Sequence, residues 1–205
     1  MTRIAILGTG NVGKALAAGA HAAGHDVVLG SRNPDDKKDL GFPVVAVGEA
    51  ADYGDIVVNA TPGAESLELL TALRPRLAGK VLLDVAVGLT ETMELAHPNS
   101  SIGEQIQQAL PDTAVVKTLC TMDSTVMIEP GALAGPSHVF LSGDDAAAKE
   151  RVGELLGDLG WAPESRLDLG GITTSRGQEH LALMFIAVAT SLGTYGFNFK
   201  VVARS

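Results

Sequence analysis

The sequence is poor in cysteine, aromatic side chains, positive charge and long apolar runs. Its single cysteine, Cys120, can close no disulfide within the chain. It also lacks the companions of a cysteine-based zinc site, so a reducing compartment and no metal centre are expected. Aromatic residues make up 4% of the chain, too few for a surface that stacks nucleic-acid bases. Against 24 acidic residues stand 15 Lys and Arg, and the net charge of −9 repels phosphate backbones and anionic membranes. Only Lys37 and Lys38 adjoin, and they read as a solvated face. The longest apolar run, Leu181 to Ala189, is about half of the ~20 residues needed to span a bilayer. Met1-Thr2-Arg3 leads directly into a strand pattern, without the apolar segment of a signal peptide. These absences together predict a cytoplasmic protein with neither nucleic acid nor membrane as partner.

What is present suits a packed core: 46% of the 205 residues are hydrophobic, dominated by small and aliphatic types. At about 150 residues per domain the length predicts one domain over residues 1–205, with 161–205 as a C-terminal extension on the same body. Ile4 to Leu7 reads as a short buried strand ending at Gly8. Val12, Ala15, Leu16, Ala20 and Ala23 then recur at helical spacing up to Gly24, and Val27 to Leu29 forms a second strand. Strand, glycine turn, helix and strand make one βαβ unit. Further strands are predicted at Val44 to Val47, Asp55 to Ala60, Lys80 to Val87, Ala114 to Leu119 and Val139 to Leu141. Between them lie helical patterns through Leu67, Leu70, Leu73 and Leu77, and through Ala148, Val152, Leu155, Leu156 and Leu159. Ser101 with Glu104 signals a capping box, and Asp144 and Asp145 stand where carboxylates favour a helix start. Past Trp161 come an extended piece, Ser165 to Leu169, and one long apolar helix from about Thr173 to Leu192. This alternation predicts an α/β fold, a doubly wound, mainly parallel Rossmann-like sheet with a C-terminal helical extension.

Chemistry concentrates at three places. Gly8-Thr9-Gly10-Asn11-Val12-Gly13 is a G-x-G-x-x-G between the first strand and the first helix. There the first glycine permits a tight turn, the second lets a pyrophosphate approach the backbone and the third lets helix and strand pack closely. The free N–H groups at the helix start face the ligand's negative charge. At the end of the second strand, where NAD-binding sheets place an Asp or Glu for the ribose hydroxyls, stands Gly30-Ser31-Arg32-Asn33-Pro34. The guanidinium of Arg32 can grip a 2′-phosphate and Ser31 adds a neutral donor, so NADP(H) is the expected cofactor. Lys37 or Lys38 offers a second positive charge. Asn59-Ala60-Thr61-Pro62-Gly63 ends the fourth strand and opens a helix, with Thr61 as the expected cap and Pro62 in the first turn. These residues should border the nicotinamide half of the cofactor.

The glycine fingerprint, Ser31-Arg32-Asn33-Pro34, Val115-Val116-Lys117 with Thr121, Gly143-Asp144-Asp145 ahead of a helix, and Phe199-Lys200 together resemble the NADP-dependent reductases of the 8-hydroxy-5-deazaflavin coenzyme F-420. The resemblance spans nearly the whole chain, and its N-terminal half is shared with the NADP-binding domains fused to membrane ferric reductases. It implies that Thr9, Ser31 and Arg32 hold the NADP phosphates, that Ala60 to Pro62 flank the nicotinamide, and that the protein is a homodimer. The cofactor-binding set is therefore Gly8, Thr9, Gly10, Asn11, Val12, Gly13, Ser31, Arg32, Asn33, Ala60, Thr61, Pro62 and Ala86, with no catalytic side chain assigned. The chain departs from the family pattern at Thr118-Leu119-Cys120, where relatives read Ala-Phe-Asn, and at Val87-Gly88, where relatives have Asn-Pro. Both segments should face the second ligand.

No acid–base pair stands out. His138 and His180 are the candidates, and each reads better as a structural histidine. Ring-to-ring hydride transfer asks less of a proton donor than carbonyl reduction does, since the protein mainly has to align the reacting carbons about 3 to 3.5 Å apart. The expected function is an oxidoreductase passing hydride between NADP(H) and a second planar cofactor, foremost coenzyme F-420. Alternatives are an NADPH-dependent reductase of a flavin, quinone or small carbonyl, and a noncatalytic NADP(H)-binding redox sensor. An anionic deazaflavin should gather some of Lys117, Arg166, Arg176, Lys200 and Arg204 in a second pocket. The long C-terminal helix is apolar around much of its circumference through Leu181, Leu183, Met184, Phe185, Ile186 and Val188, which suggests a homodimer formed through it.

Overall fold

The computed structural model describes residues 1–37 and 39–204. Lys38, expected on a solvated face with Lys37, lies outside the described residues. Six parallel strands form the main sheet: Arg3–Leu7 (β1), Asp26–Ser31 (β2), Val44–Ala46 (β3), Ile56–Asn59 (β4), Val81–Asp84 (β5) and Ala114–Lys117 (β6). Their order is β3-β2-β1-β4-β5-β6, which reverses direction between β1 and β4 and so opens a crevice at the carboxyl end of β1. Central strands of such a sheet are covered on both faces and read as continuous apolar runs, as Ile4 to Leu7 and Ile56 to Val58 do.

Alternate residues of each strand feed two separate cores. Ile4, Ile6, Val27, Leu29, Val58 and Val116 pack on one face against Asn11–Ala22 (α1), Ser124–Ile128 (α6) and Ala146–Asp158 (α7). Ala5, Leu7, Val28, Val57, Leu82 and Val115 pack on the other against Val47–Tyr53 (α2), Gly63–Ala72 (α3), Arg74–Leu77 (α4) and Ile102–Ala109 (α5). The period-two pattern of the strands dictates this division.

Several elements differ from expectation. Val47 opens α2 instead of ending β3; that helix is short and buries only Ala50 and Ala51, so it carries almost no apolar periodicity. Its first turn is closed by Glu49, whose carboxylate accepts the Ala46 N–H at 3.2 Å. The helix predicted through Leu67 to Leu77 is broken at Leu73, because Pro75 has no N–H for the turn behind it. Val139–Leu141 (β7) leaves the main sheet and pairs in parallel with Arg166–Asp168 (β8), touching β6 through a single bridge between Lys117 and Ser142. Asp145 caps α7 by accepting the Ala148 N–H, whereas Asp144 accepts the Ile172 N–H.

The last helix, Ser175–Leu192 (α8), ends at Gly193 in the left-handed conformation that commonly stops a helix. The segment beyond Trp161 is tied to the rest by buried contacts. Trp161 lies in the first core and donates its indole N–H to Met127 O at 3.0 Å. Ser101 and Glu104 both serve the start of α5: Ser101 Oγ accepts the Glu104 N–H, and the Glu104 carboxylate accepts from that hydroxyl. The remaining donors at that helix start, the Ile102 and Gly103 N–H groups, go to Glu179 of α8.

Candidate functional site

The turn from β1 into α1 is built by its glycines. Gly8 has φ +118°, and a Cβ there would sit 2.4 Å from Ala60 O. A Cβ at Gly13 would lie 2.2 Å from Gly8 O, so only glycine lets the helix approach the strand this closely. Gly10 is different: its φ of −74° suits any residue and a Cβ added there meets nothing within 4 Å. The space that side chain would fill is part of the cleft, directly before the free N–H groups of the first turn of α1. That turn carries no acidic residue, so its positive dipole end is uncompensated.

A cleft of about 710 Å³ runs along the carboxyl edge of the sheet. Gly8, Thr9, Gly10, Asn11 and Val12 form its floor; Ser31, Arg32 and Asn33 line one end, and Ala60, Thr61, Pro62 and Ala86 the other. Gly13 lies beneath the floor as a packing residue and is the one expected member that does not line it. Ser31 is buried and its hydroxyl accepts the Asn33 N–H at 3.1 Å, which fixes the turn that presents Arg32. Asp36, Lys37, Val47, Glu65, Leu69, Val85 and Val87 also line the cleft. Apart from Lys37 and Val87, sequence reasoning assigned these no part in a site, since they arrive from elements whose positions depend on the folded sheet.

Thr61 is not the cap of α3. Pro62 occupies that position, and the Thr61 hydroxyl instead donates to Asn59 Oδ1 at 2.6 Å and lies 2.8 Å from Ser66 Oγ. The Thr61 hydroxyl is half-buried and held by these side chains, while the N–H groups of Glu65 and Ser66 at the helix start bond to Pro62 O. The Asn59 amide in turn donates to Ser66 Oγ at 3.1 Å and to Asp84 Oδ1 at 2.8 Å.

Asp84 connects this end of the cleft to a fully buried ammonium. Lys117 Nζ lies 2.8 Å from Asp84 Oδ2 and 3.0 Å from Glu179 Oε1, and donates to Ala86 O. Burial disfavours its charge, but the two carboxylates more than offset this and hold the ammonium above its ordinary range. The Ala86 N–H donates to Asp84 Oδ1 at 3.2 Å, so both polar groups of the Ala86 backbone are fixed from below. Next to this trio, burial pushes the Cys120 thiol up to about 12, which leaves it protonated and unreactive at neutral pH.

The second pocket expected for an anionic ligand is not assembled from the residues named for it. Lys117 has no solvent exposure. Arg176 is paired with Glu104 at 2.7 Å, Arg166 donates to Gly153 O beside Lys149, and Lys200 and Arg204 lie exposed on the tail. Each found a partner or solvent nearer than a common centre. His138 Nδ1 accepts the Val201 N–H and His180 Nδ1 lies 2.9 Å from Arg176 O, and neither lines the cleft. Among the described residues no group of His, Cys, Asp or Glu could hold a metal ion, and no helix is long and apolar enough to cross a membrane.

Residues 3–88 match the family model described as NADP oxidoreductase coenzyme F420-dependent. The rat metalloreductase STEAP3 is 32% identical over 187 residues, 90% of this chain and 37% of its own. The chain thus spans about two fifths of the length of the metalloreductases it resembles. The F420-dependent NADP reductase of Methanocaldococcus jannaschii is 25% identical over 223 residues, covering 97% of each chain. A crystal structure of a candidate F420-dependent NADP reductase from Arthrobacter sp. FB24 superimposes with a TM-score of 0.93 at 40% identity, over 99% of this chain and 100% of that one. With likeness of that extent along both chains, the protein belongs to the family of F420-dependent NADP oxidoreductases.

Proposed function

We propose that the cleft binds NADP(H) and that the protein transfers hydride between it and a second planar cofactor, the deazaflavin coenzyme F-420. The observation that carries the nucleotide assignment is the continuity of one cleft from the open space at Gly10, through the first turn of α1, to the guanidinium of Arg32. A pyrophosphate fits at the helix start and a 2′-phosphate at Arg32. Thr9, Asn11 and Val12 would border the pyrophosphate, with Ser31 and Asn33 beside the adenosine phosphate. Ala60, Thr61, Pro62 and Ala86 would flank the nicotinamide.

When bound, the nicotinamide supplies or accepts the hydride. The protein's own contribution is positional. Asn59, itself bonded to Asp84, and Ser66 fix the Thr61 side chain, and Asp84 with Lys117 fixes the Ala86 peptide, so the wall at that end of the cleft is rigid before the rings meet. Positioning of this kind is what a direct transfer between two rings requires. A homodimer through α8 completes the reading, since Met184 and Leu192 are exposed and Leu181, Leu183, Ile186 and Val188 are only half-buried on that helix.

The dispersal of Arg166, Arg176 and Lys200 favours a second reading, an NADPH-dependent reductase of an acceptor without the anionic tail, such as a flavin or quinone. One assay decides. Purified protein is mixed with NADPH and oxidised F-420, then with riboflavin or a soluble quinone, and the absorbance of each ring is followed. Rapid exchange with F-420 supports the first reading and exchange with the other acceptors alone supports the second. Tight NADPH binding without any exchange would overturn both in favour of a redox sensor.

A further inference from the structure

Arg32 is already engaged. Its Nη1 lies 2.8 Å from Glu65 Oε2, and both side chains line the cleft. Arg32 comes from the end of β2 and Glu65 from the first turn of α3, which follows β4; these two strands flank β1. The pair therefore reaches across the mouth of the cleft above the glycine turn. The fold does not need it. The start of α3 is held by Glu65 N–H and Ser66 N–H bonds to Pro62 O and by the Ser66 hydroxyl, which donates to the same carbonyl at 3.0 Å.

Building on the assignment of NADP(H) to this cleft, we propose that Glu65 is a specificity-determining residue that competes with the 2′-phosphate of NADP(H) for Arg32. To bind that phosphate, the guanidinium must release the carboxylate or hold two anions side by side, and either costs affinity. NAD(H) carries a hydroxyl at that position, which meets no such repulsion and can donate to the carboxylate. Glu65 thereby narrows the preference for NADP(H) over NAD(H) without touching the reacting atoms. The side chains of Arg32 and Glu65 are 71% and 49% exposed, so solvent screens the pair and the effect is modest. Exposed pairs of this kind shift an equilibrium by no more than about fivefold.

The test is the dissociation constants of NADPH and NADH, measured by calorimetry at low and high salt for the unaltered protein, Glu65→Gln, Asp36→Asn and Arg32→Ala, with a thermal melt confirming that each is folded. Glu65→Gln is expected to tighten NADPH about two- to fivefold, leave NADH unchanged or weaker, and lose most of this gain at high salt. Asp36 lines the same cleft, and its neutralisation is expected to have the smaller effect. Unchanged or weaker NADPH binding in Glu65→Gln would overturn the proposal, as would an equal gain from Asp36→Asn, which would mean a general field. Arg32→Ala keeps the two assignments apart. If it abolishes the preference for NADPH while Glu65→Gln changes nothing, only the role of Glu65 falls. If it leaves the preference intact, the placement of the 2′-phosphate is wrong as well.

Discussion

Gly10 is the position at which one added side chain should close the cleft while leaving the fold alone, because its backbone suits any residue and its Cβ would meet open space. Gly10→Val is expected to abolish binding of both NADPH and NADH with an unchanged circular dichroism spectrum; retained binding would show that the pyrophosphate lies elsewhere. Arg32→Ala should weaken NADPH by about 1.5 to 3 kcal/mol, the range for a hydrogen bond to a charged group, and NADH little. Equal losses in titrations of the two would make Arg32 structural. Lys117→Met removes the ammonium between two buried carboxylates, and breaking such a cluster costs about 3 to 5 kcal/mol. Its urea midpoint should drop accordingly, and a midpoint near that of the unaltered protein would show that Asp84 and Glu179 are satisfied without it. The residues legible in the sequence, Gly8 to Gly13 and Arg32, owe their visibility to fixed spacing from the strands they follow. Glu65, Asp84 and Lys117 were not legible as partners, because their contacts join positions about 30 or more residues apart.

At the scale of elements, α5 and α8 are bound to each other by charge. Arg176 lies against Glu104 and holds its carboxyl below the ordinary glutamate range, while Glu179 receives the first N–H groups of α5. A carboxyl whose pKa is lowered in the folded state contributes stability that is fully present above its unfolded value of about 4.3 and is lost as the pH falls through the folded value. Thermal melts between pH 6 and pH 3 should therefore show a shallower acid slope for Glu104→Gln than for the unaltered protein; parallel slopes would mean the pair contributes nothing. The strands of the main sheet could be read from short apolar runs, and α1, α7 and α8 from their apolar spacing. The helices α2 and α6 escaped notice because they span only seven and five residues, too few to display a period. The departure of β7 from the main sheet is a matter of pairing, which a strand's own composition does not encode.

For the whole molecule, the apolar residues left half-covered along α8 predict association. Light scattering at micromolar concentration should give a dimer mass, and Met184→Glu should shift it toward the monomer; a monomer from the unaltered protein would remove α8 as an interface. The doubly wound architecture was readable from the alternation of strands and helices, whereas the attachment of its final helix to the cleft was not. That attachment has a practical consequence for anyone who would transplant the nucleotide-binding half alone. Half of the counter-charge for the ammonium beneath Ala86 is donated by Glu179, close to the far end of the polypeptide. A fragment trimmed ahead of residue 175 would leave that cation lopsided and the cleft wall at Ala86 loose, so a useful graft must carry a surrogate carboxylate with it.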